Sequence, residues 1–143
     1  MSRKSKIFLG LAILATIFIF SNSLQNAELS DGDSSRVFSF VSALLSPIST
    51  PWLSHHLIRK IAHFTEFFLQ SCFLSLSAVH SRRGAAGKRI PVLFAGLFTA
   101  CTDELIQSFV PGRSSQVTDV WIDFCGVCLA ALLIFLIYRR RKG

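Results

Sequence analysis

A chain of 143 residues allows one domain. It is 51% hydrophobic, with 14 Phe and a mean hydropathy of +0.52, which excludes an ordinary soluble enzyme and points to an integral membrane protein. The net charge of +7 would suggest nucleic acid in a soluble protein, but here the cations flank apolar runs, so they orient the chain in a membrane instead.

In chain order, Arg3, Lys4 and Lys6 precede an apolar run from Ile7 to Phe20. It reads as a first span, about residues 6–22, if Lys6 and Asn22 lie at the interfaces. Ser21 and Ser23 also resemble cleavage-site residues; a retained anchor with a cytoplasmic N-terminus is the favoured reading. Residues 21–33 form a polar, weakly acidic outer loop. Asp33 then caps a short helix over 34–45, where Val37, Phe40, Val41, Leu44 and Leu45 recur at helical spacing. Too short to span, this helix should lie on the extracytoplasmic membrane surface or over the other helices. Pro47 and Pro51 end it, and Trp52, His55 and His56 lead into the second span, about 57–79.

A basic loop with Arg82, Arg83, Lys88 and Arg89, made flexible by Gly84 and Gly87, leads into a third span, about 90–109. Pro91 falls in its first turn, where proline is tolerated. Pro111-Gly112-Arg113 turns the chain outside, and a fourth span, about 117–138, ends in Arg139, Arg140, Arg141 and Lys142. Every cationic cluster falls on one side. The expected architecture is therefore an all-α membrane protein: a four-helix transmembrane bundle with a short extracytoplasmic amphipathic helix, one domain over 1–143, both termini cytoplasmic.

The four cysteines lie in apolar runs. Cys125-Gly-Val-Cys128 has redox or half-zinc spacing, but without a second pair, and inside a span, the cysteines read as small hydrophobes.

The chemistry concentrates in three polar stripes. At about 100° per residue, Arg59, His63, Glu66 and Gln70 share one side of the second span. Asp103 and Gln107 share an arc with Gly96 and Thr99 on the third, with Glu104 to one side; Asp119 and Asp123 share an arc with Gly126 and Ala130 on the fourth. Charged stripes are costly in lipid and should face protein or water. All fall at one depth, near the external interface, and small residues beneath the acids allow close helix approach. The expectation is one outward-opening polar chamber.

Three chemistries fit that chamber. Arg59, Lys60 and Arg113 suit the phosphate of a lipid headgroup or lipid-linked sugar. His63 with a desolvated carboxylate suits general acid-base work, with His63, Glu66 and Asp119 the candidates for proton chemistry and Asp103, Glu104, Gln107 and Asp123 binding or orienting around them. No cofactor is required by these residues; a divalent metal is compatible with His63 and Glu66, or with Asp119 and Asp123. Against this stands a purely structural ion-pair network, in which the protein is a non-catalytic accessory to a membrane-protein partner. A transporter fits less well, because the inner halves of the spans lack a polar path.

At these residues the chain resembles the VanZ-like family of bacterial membrane proteins. The resemblance rests on Arg59-Lys60-x-x-His63-x-x-Glu66, then Asp103-Glu104-x-x-Gln107-x-Phe109-Val110-Pro111-Gly112-Arg113, then Asp119-Val-x-x-Asp123-x-x-Gly126. Phe20-Ser21-Asn22-Ser23 is also similar to the family's start. The chain departs from the pattern at Phe67, where Tyr is frequent, and at Asp123, where Asn is common. The resemblance implies a multi-pass protein of the bacterial cytoplasmic membrane linked to the cell envelope, in a family whose name-giving member is associated with resistance to teicoplanin. The expected ligand is an anionic lipid or lipid-linked cell-wall precursor, bound and then modified; no nucleic acid is expected.

Overall fold

The computed structural model describes residues 1–25, 55–81, 88–113 and 115–140. The expected amphipathic helix over 34–45 lies outside them. The described residues form four α-helices and no strand: α1 (Arg3–Ser23), α2 (His55–Val79), α3 (Arg89–Ser108) and α4 (Val117–Arg140).

Three of these, α1, α3 and α4 up to Arg139, are long and apolar enough to cross a membrane. α2 is long enough at 25 residues but carries the polar stripe that starts at Arg59. It is the central helix, packed against each of the other three.

The packing inverts the pattern of a soluble protein. Phe94, Phe98, Leu105, Leu14, Ile17 and Trp121 are exposed, while Gln70, Ser71, Ser75, Asp103 and Asp123 are almost fully buried. Water would reward the opposite arrangement. Lipid rewards this one, because polar side chains in hydrocarbon must find partners inside the protein.

Two apolar clusters tie the helices together: Ile19, Phe67, Ala100 and Val127 near the middle, and Ala78, Val92, Ala131 and Phe135 further along. Phe67, one of the departures from the family pattern, is wholly inaccessible in the first. Hydrogen bonds supplement them. The Gln70 amide donates to Thr16 Oγ1 (2.7 Å) and Thr99 Oγ1 (3.2 Å), linking α2 to α1 and α3. Ser71 Oγ donates to the Val127 carbonyl on α4. Ser5 and Ser77 exchange hydroxyl-to-carbonyl bonds between α1 and α2 at 2.8 and 2.9 Å.

Two glycines permit the closest approaches. A Cβ at Gly126 would sit 2.6 Å from the Phe64 carbonyl oxygen, so α4 and α2 touch backbone to backbone there; a Cβ at Gly96 would collide with the Val127 methyls.

The start of α1, the end of α2, the start of α3 and the end of α4 share one end of the molecule. There Ser2 Oγ donates to the His80 carbonyl, the His80 ring meets Phe8 and Tyr138, and Arg89 lies over the Phe135 ring. This end carries Arg3, Lys4, Lys6, Lys88, Arg89 and Arg139, and the carboxylates of the described residues lie toward the other.

At that other end α3 passes into a turn. The Arg113 N–H donates to the Val110 carbonyl at 3.2 Å, with Pro111 and Gly112 between them and Gly112 at φ 81°. Proline followed by glycine at positive φ is the signature of a type II turn. Gly112→Ala is expected to lower stability by about 1 kcal/mol, since a Cβ disfavours this conformation. Comparative thermal unfolding in detergent checks this, and an unchanged melting temperature would refute it.

Candidate functional site

The structure draws the three polar stripes to the end of the molecule away from the cationic termini. Arg59, Lys60 and His63 of α2, Glu104 and Gln107 of α3, and Asp119 and Asp123 of α4 line one small cavity. Its volume is about 10 Å³, close to the least that holds a single water or ion. The chamber is thus a tight polar knot in this conformation, too small to enclose a headgroup.

Asp103 lies at the centre of the knot with no solvent exposure. Its Oδ1 accepts from Ser23 Oγ at 2.6 Å and its Oδ2 from Gln107 Nε2 at 2.7 Å. Gln107 also reaches Ser23 Oγ at 3.3 Å. His63 Nδ1 stands 3.9 Å from Asp103 Oδ2, beyond hydrogen-bond reach, and is buried without a hydrogen-bond partner. Asp123 is 2% exposed, and its Oδ1 is likewise unpartnered.

Glu104 was placed to one side of the Asp103 arc by its spacing, yet it too is buried. Its Oε2 accepts from the backbone N–H of Gln116, just before α4, at 2.9 Å. A carboxylate on one helix thereby satisfies a backbone donor at the start of the next, and fixes where α4 begins. Asp119, in the first turn of α4, approaches Lys60 Nζ at 2.9 Å. The contact is a charge pairing without hydrogen-bond angles, since Asp119 Oδ1 has no hydrogen-bond partner. Lys60 is therefore already engaged with an acid, and any anion would have to share it.

Glu66 is turned differently. Its Oε1 accepts from Asn22 Nδ2 on α1 at 2.9 Å, and it does not line the cavity. Arg113 lies in the electrostatic field of both Glu66 and Asp103, and Arg59, Arg113 and Asp119 act on His63. The ten sequence-identified residues are thus neighbours, with Glu66 turned to α1 and Lys60 paired with Asp119 of α4.

Beside the metal-ligand pairings suggested by spacing along single helices, the structure offers a grouping across helices. His63, Asp103 and Asp123, one from each of three helices, bring one ligand atom apiece to within 4.8 Å of each other. Two further contributors were not assigned to the site. Asn22 and Ser23 sit at the end of α1, where small polar residues read as loop or cleavage site; the signals were their depth, level with the carboxylates, and their place in the Phe20-Ser21-Asn22-Ser23 stretch similar to the family's start.

A larger, mostly apolar groove of about 600 Å³ runs between α3 and α4, from Leu97 and Cys101 to Val117 and Trp121. Glu104 lines both this groove and the polar cavity, so the two spaces share a wall.

Apolar helices turned outward around a buried polar centre define a helical integral membrane protein. The VanZ/LLP1 family pattern matches residues 8–138, nearly the whole chain, and the protein belongs to that family. It is also 33% identical over 82 residues to the uncharacterized protein C11E3.10 of Schizosaccharomyces pombe, covering 57% of this chain and 49% of that one. The chain therefore spans about half the length of this curated relative. No solved structure matches.

Proposed function

We propose that the protein is a four-span component of the bacterial cytoplasmic membrane, with both termini inside, and that its polar site binds the phosphate of an anionic lipid or lipid-linked envelope component at the outer surface. α2 is the fourth span, its polar stripe covered by the other three helices. The cationic end carrying Arg3, Lys6, Arg89 and Arg139 favours the cytoplasmic side for the termini, which puts the polar knot outside. Family membership fits an envelope role of the kind associated with teicoplanin resistance.

The observation that carries the ligand class is the wall shared through Glu104. A lipid chain lying in the α3–α4 groove would bring its headgroup to the edge of the knot, where Arg59, Lys60 and Arg113 supply cations suited to phosphate oxygens. The cavity's small volume means the headgroup sits at its mouth, and entry requires Lys60 to loosen from Asp119. Once the headgroup is there, His63, Glu66 and Asp119 are the groups able to move protons during its modification. The match to a fungal protein favours a lipid phosphate over any group peculiar to peptidoglycan, which fungi lack.

Native mass spectrometry of the gently solubilised protein tests this reading, beside Arg59→Ala and Arg113→Ala. The expected result is a retained phospholipid or polyprenyl-phosphate mass on the wild type, reduced at least about tenfold in both variants, the scale for losing a charge-assisted phosphate contact. A folded wild type with no lipid adduct, or with a partner protein in its place, would sink it and favour the accessory reading.

A further inference from the structure

We propose that His63, Asp103 and Asp123 form a binding site for one divalent transition-metal ion of the Zn²⁺ or Mn²⁺ type. The mixed nitrogen and oxygen donor set is the first reason. One imidazole with two carboxylates suits these ions, whereas Mg²⁺ and Ca²⁺ prefer oxygen alone. The second is spacing. Ligands each about 2.1 Å from a common ion stand roughly 3–4 Å apart. His63 Nδ1 and Asp103 Oδ2 are 3.9 Å apart, too far to hydrogen-bond and correctly spaced to share an ion. The full set converges within 4.8 Å, so small side-chain adjustments complete the coordination.

The third reason is what these atoms lack. Among the described residues, His63 Nδ1 and Asp123 Oδ1 are buried and find no hydrogen-bond partner, and Asp123 is 2% exposed. An unpaired polar atom is costly in a protein interior, and more so in a membrane. Both residues line the cavity whose volume suits one small ion. One metal would satisfy both atoms at once.

Two further features belong to a metal centre. Asp103 is oriented by Ser23 and Gln107, the outer hydrogen bonds that hold a ligating carboxylate in place. The charge balance also calls for a cation. Among the described residues, with His63 neutral and the rest ionised, Glu66, Asp103, Glu104, Asp119 and Asp123 outnumber Arg59, Lys60 and Arg113 by two, and a divalent ion restores neutrality. The assignment stands on this geometry alone and does not depend on lipid recognition.

The test uses the full chain in detergent, stripped with a chelator and titrated with Mn²⁺ while the free-ion resonance is followed by electron paramagnetic resonance. One Mn²⁺ per chain is expected, displaced by Zn²⁺, with pulsed spectra showing a single coupled imidazole nitrogen. His63→Gln should abolish that nitrogen signal, Asp123→Ala should weaken binding at least about a hundredfold, and Ser23→Ala, which touches no metal, about tenfold. Should a variant fail to fold, the wild-type spectrum still decides. Folded wild type that binds neither ion at millimolar concentration overturns the proposal. So does stoichiometric Mn²⁺ without an imidazole nitrogen, or a nitrogen signal that survives His63→Gln. Metal binding without a lipid adduct would leave this site standing and the lipid reading fallen; a lipid adduct without metal would do the reverse.

Discussion

Gly126→Ala should be among the most damaging single-methyl changes in this protein. The added Cβ would sit 2.6 Å from the Phe64 carbonyl oxygen and 3.3 Å from the Phe68 nitrogen. Both are main-chain atoms inside α2, so neither can rotate away; α4 has to move off α2. Overpacking of this kind costs about 1–3 kcal/mol. The shift would also carry Asp123, three residues earlier on α4, away from His63. Thermal unfolding in detergent should show a lower melting temperature. Gly96→Ala is the informative comparison, because the atoms nearest its Cβ all belong to the side chain of Val127. Adding Val127→Ala to it should restore much of the loss, whereas no neighbouring side-chain truncation should rescue Gly126→Ala. Equal melting of Gly126→Ala and wild type would refute the backbone contact.

The second large effect is expected at Asp103. Asp103→Ala strands the Ser23 hydroxyl and the Gln107 amide, which both donate to it, where all three residues are buried. Orphaned buried donors cost about 1–3 kcal/mol each. Polar groups in a membrane often find alternative partners, which trims such losses, and Ser23 and Gln107 are already 3.3 Å from one another. The expected loss is therefore about 2 kcal/mol in total. Chemical denaturation in mixed micelles would measure it. Ser23→Ala removes only one of the two bonds and should cost about half as much; if it equals or exceeds Asp103→Ala, Asp103 is not the hub.

Much of this was legible because helical spacing is a reliable guide to which residues share a face. Asp103 and Gln107, four residues apart, do lie on the buried side of α3 and bond to each other, and Asp123, Gly126 and Ala130, grouped on one arc of α4, are all buried. Spacing fails where a neighbouring element reaches over. Glu104 is buried because the chain entering α4 crosses it and gives it the Gln116 N–H, a contact twelve residues distant that no wheel contains. Spacing also overstates pairs on one helix. His63 and Glu66 look like partners, yet Glu66 turns to Asn22 of α1 while His63 faces α3 and α4. Metal-type convergence across three helices depends on their relative rotation, and single-helix periodicity carries no information about that. The polar ends of α1 were the hardest to read, since Asn22 and Ser23 matter only through acids more than forty residues away.

The half-buried charges of the α2 stripe have a consequence for how the protein is made. Arg59, Lys60, His63 and Glu66 emerge from the ribosome before the acids of α3 and α4 that answer them. Of the described helices only α1 precedes α2, and it offers Asn22 to Glu66 but no carboxylate to Arg59, Lys60 and His63. A helix bearing unanswered cations partitions poorly into hydrocarbon. On the four-span reading, insertion is expected to be collective, with α2 held at the boundary until the acids of α3 and α4 arrive to answer its cations.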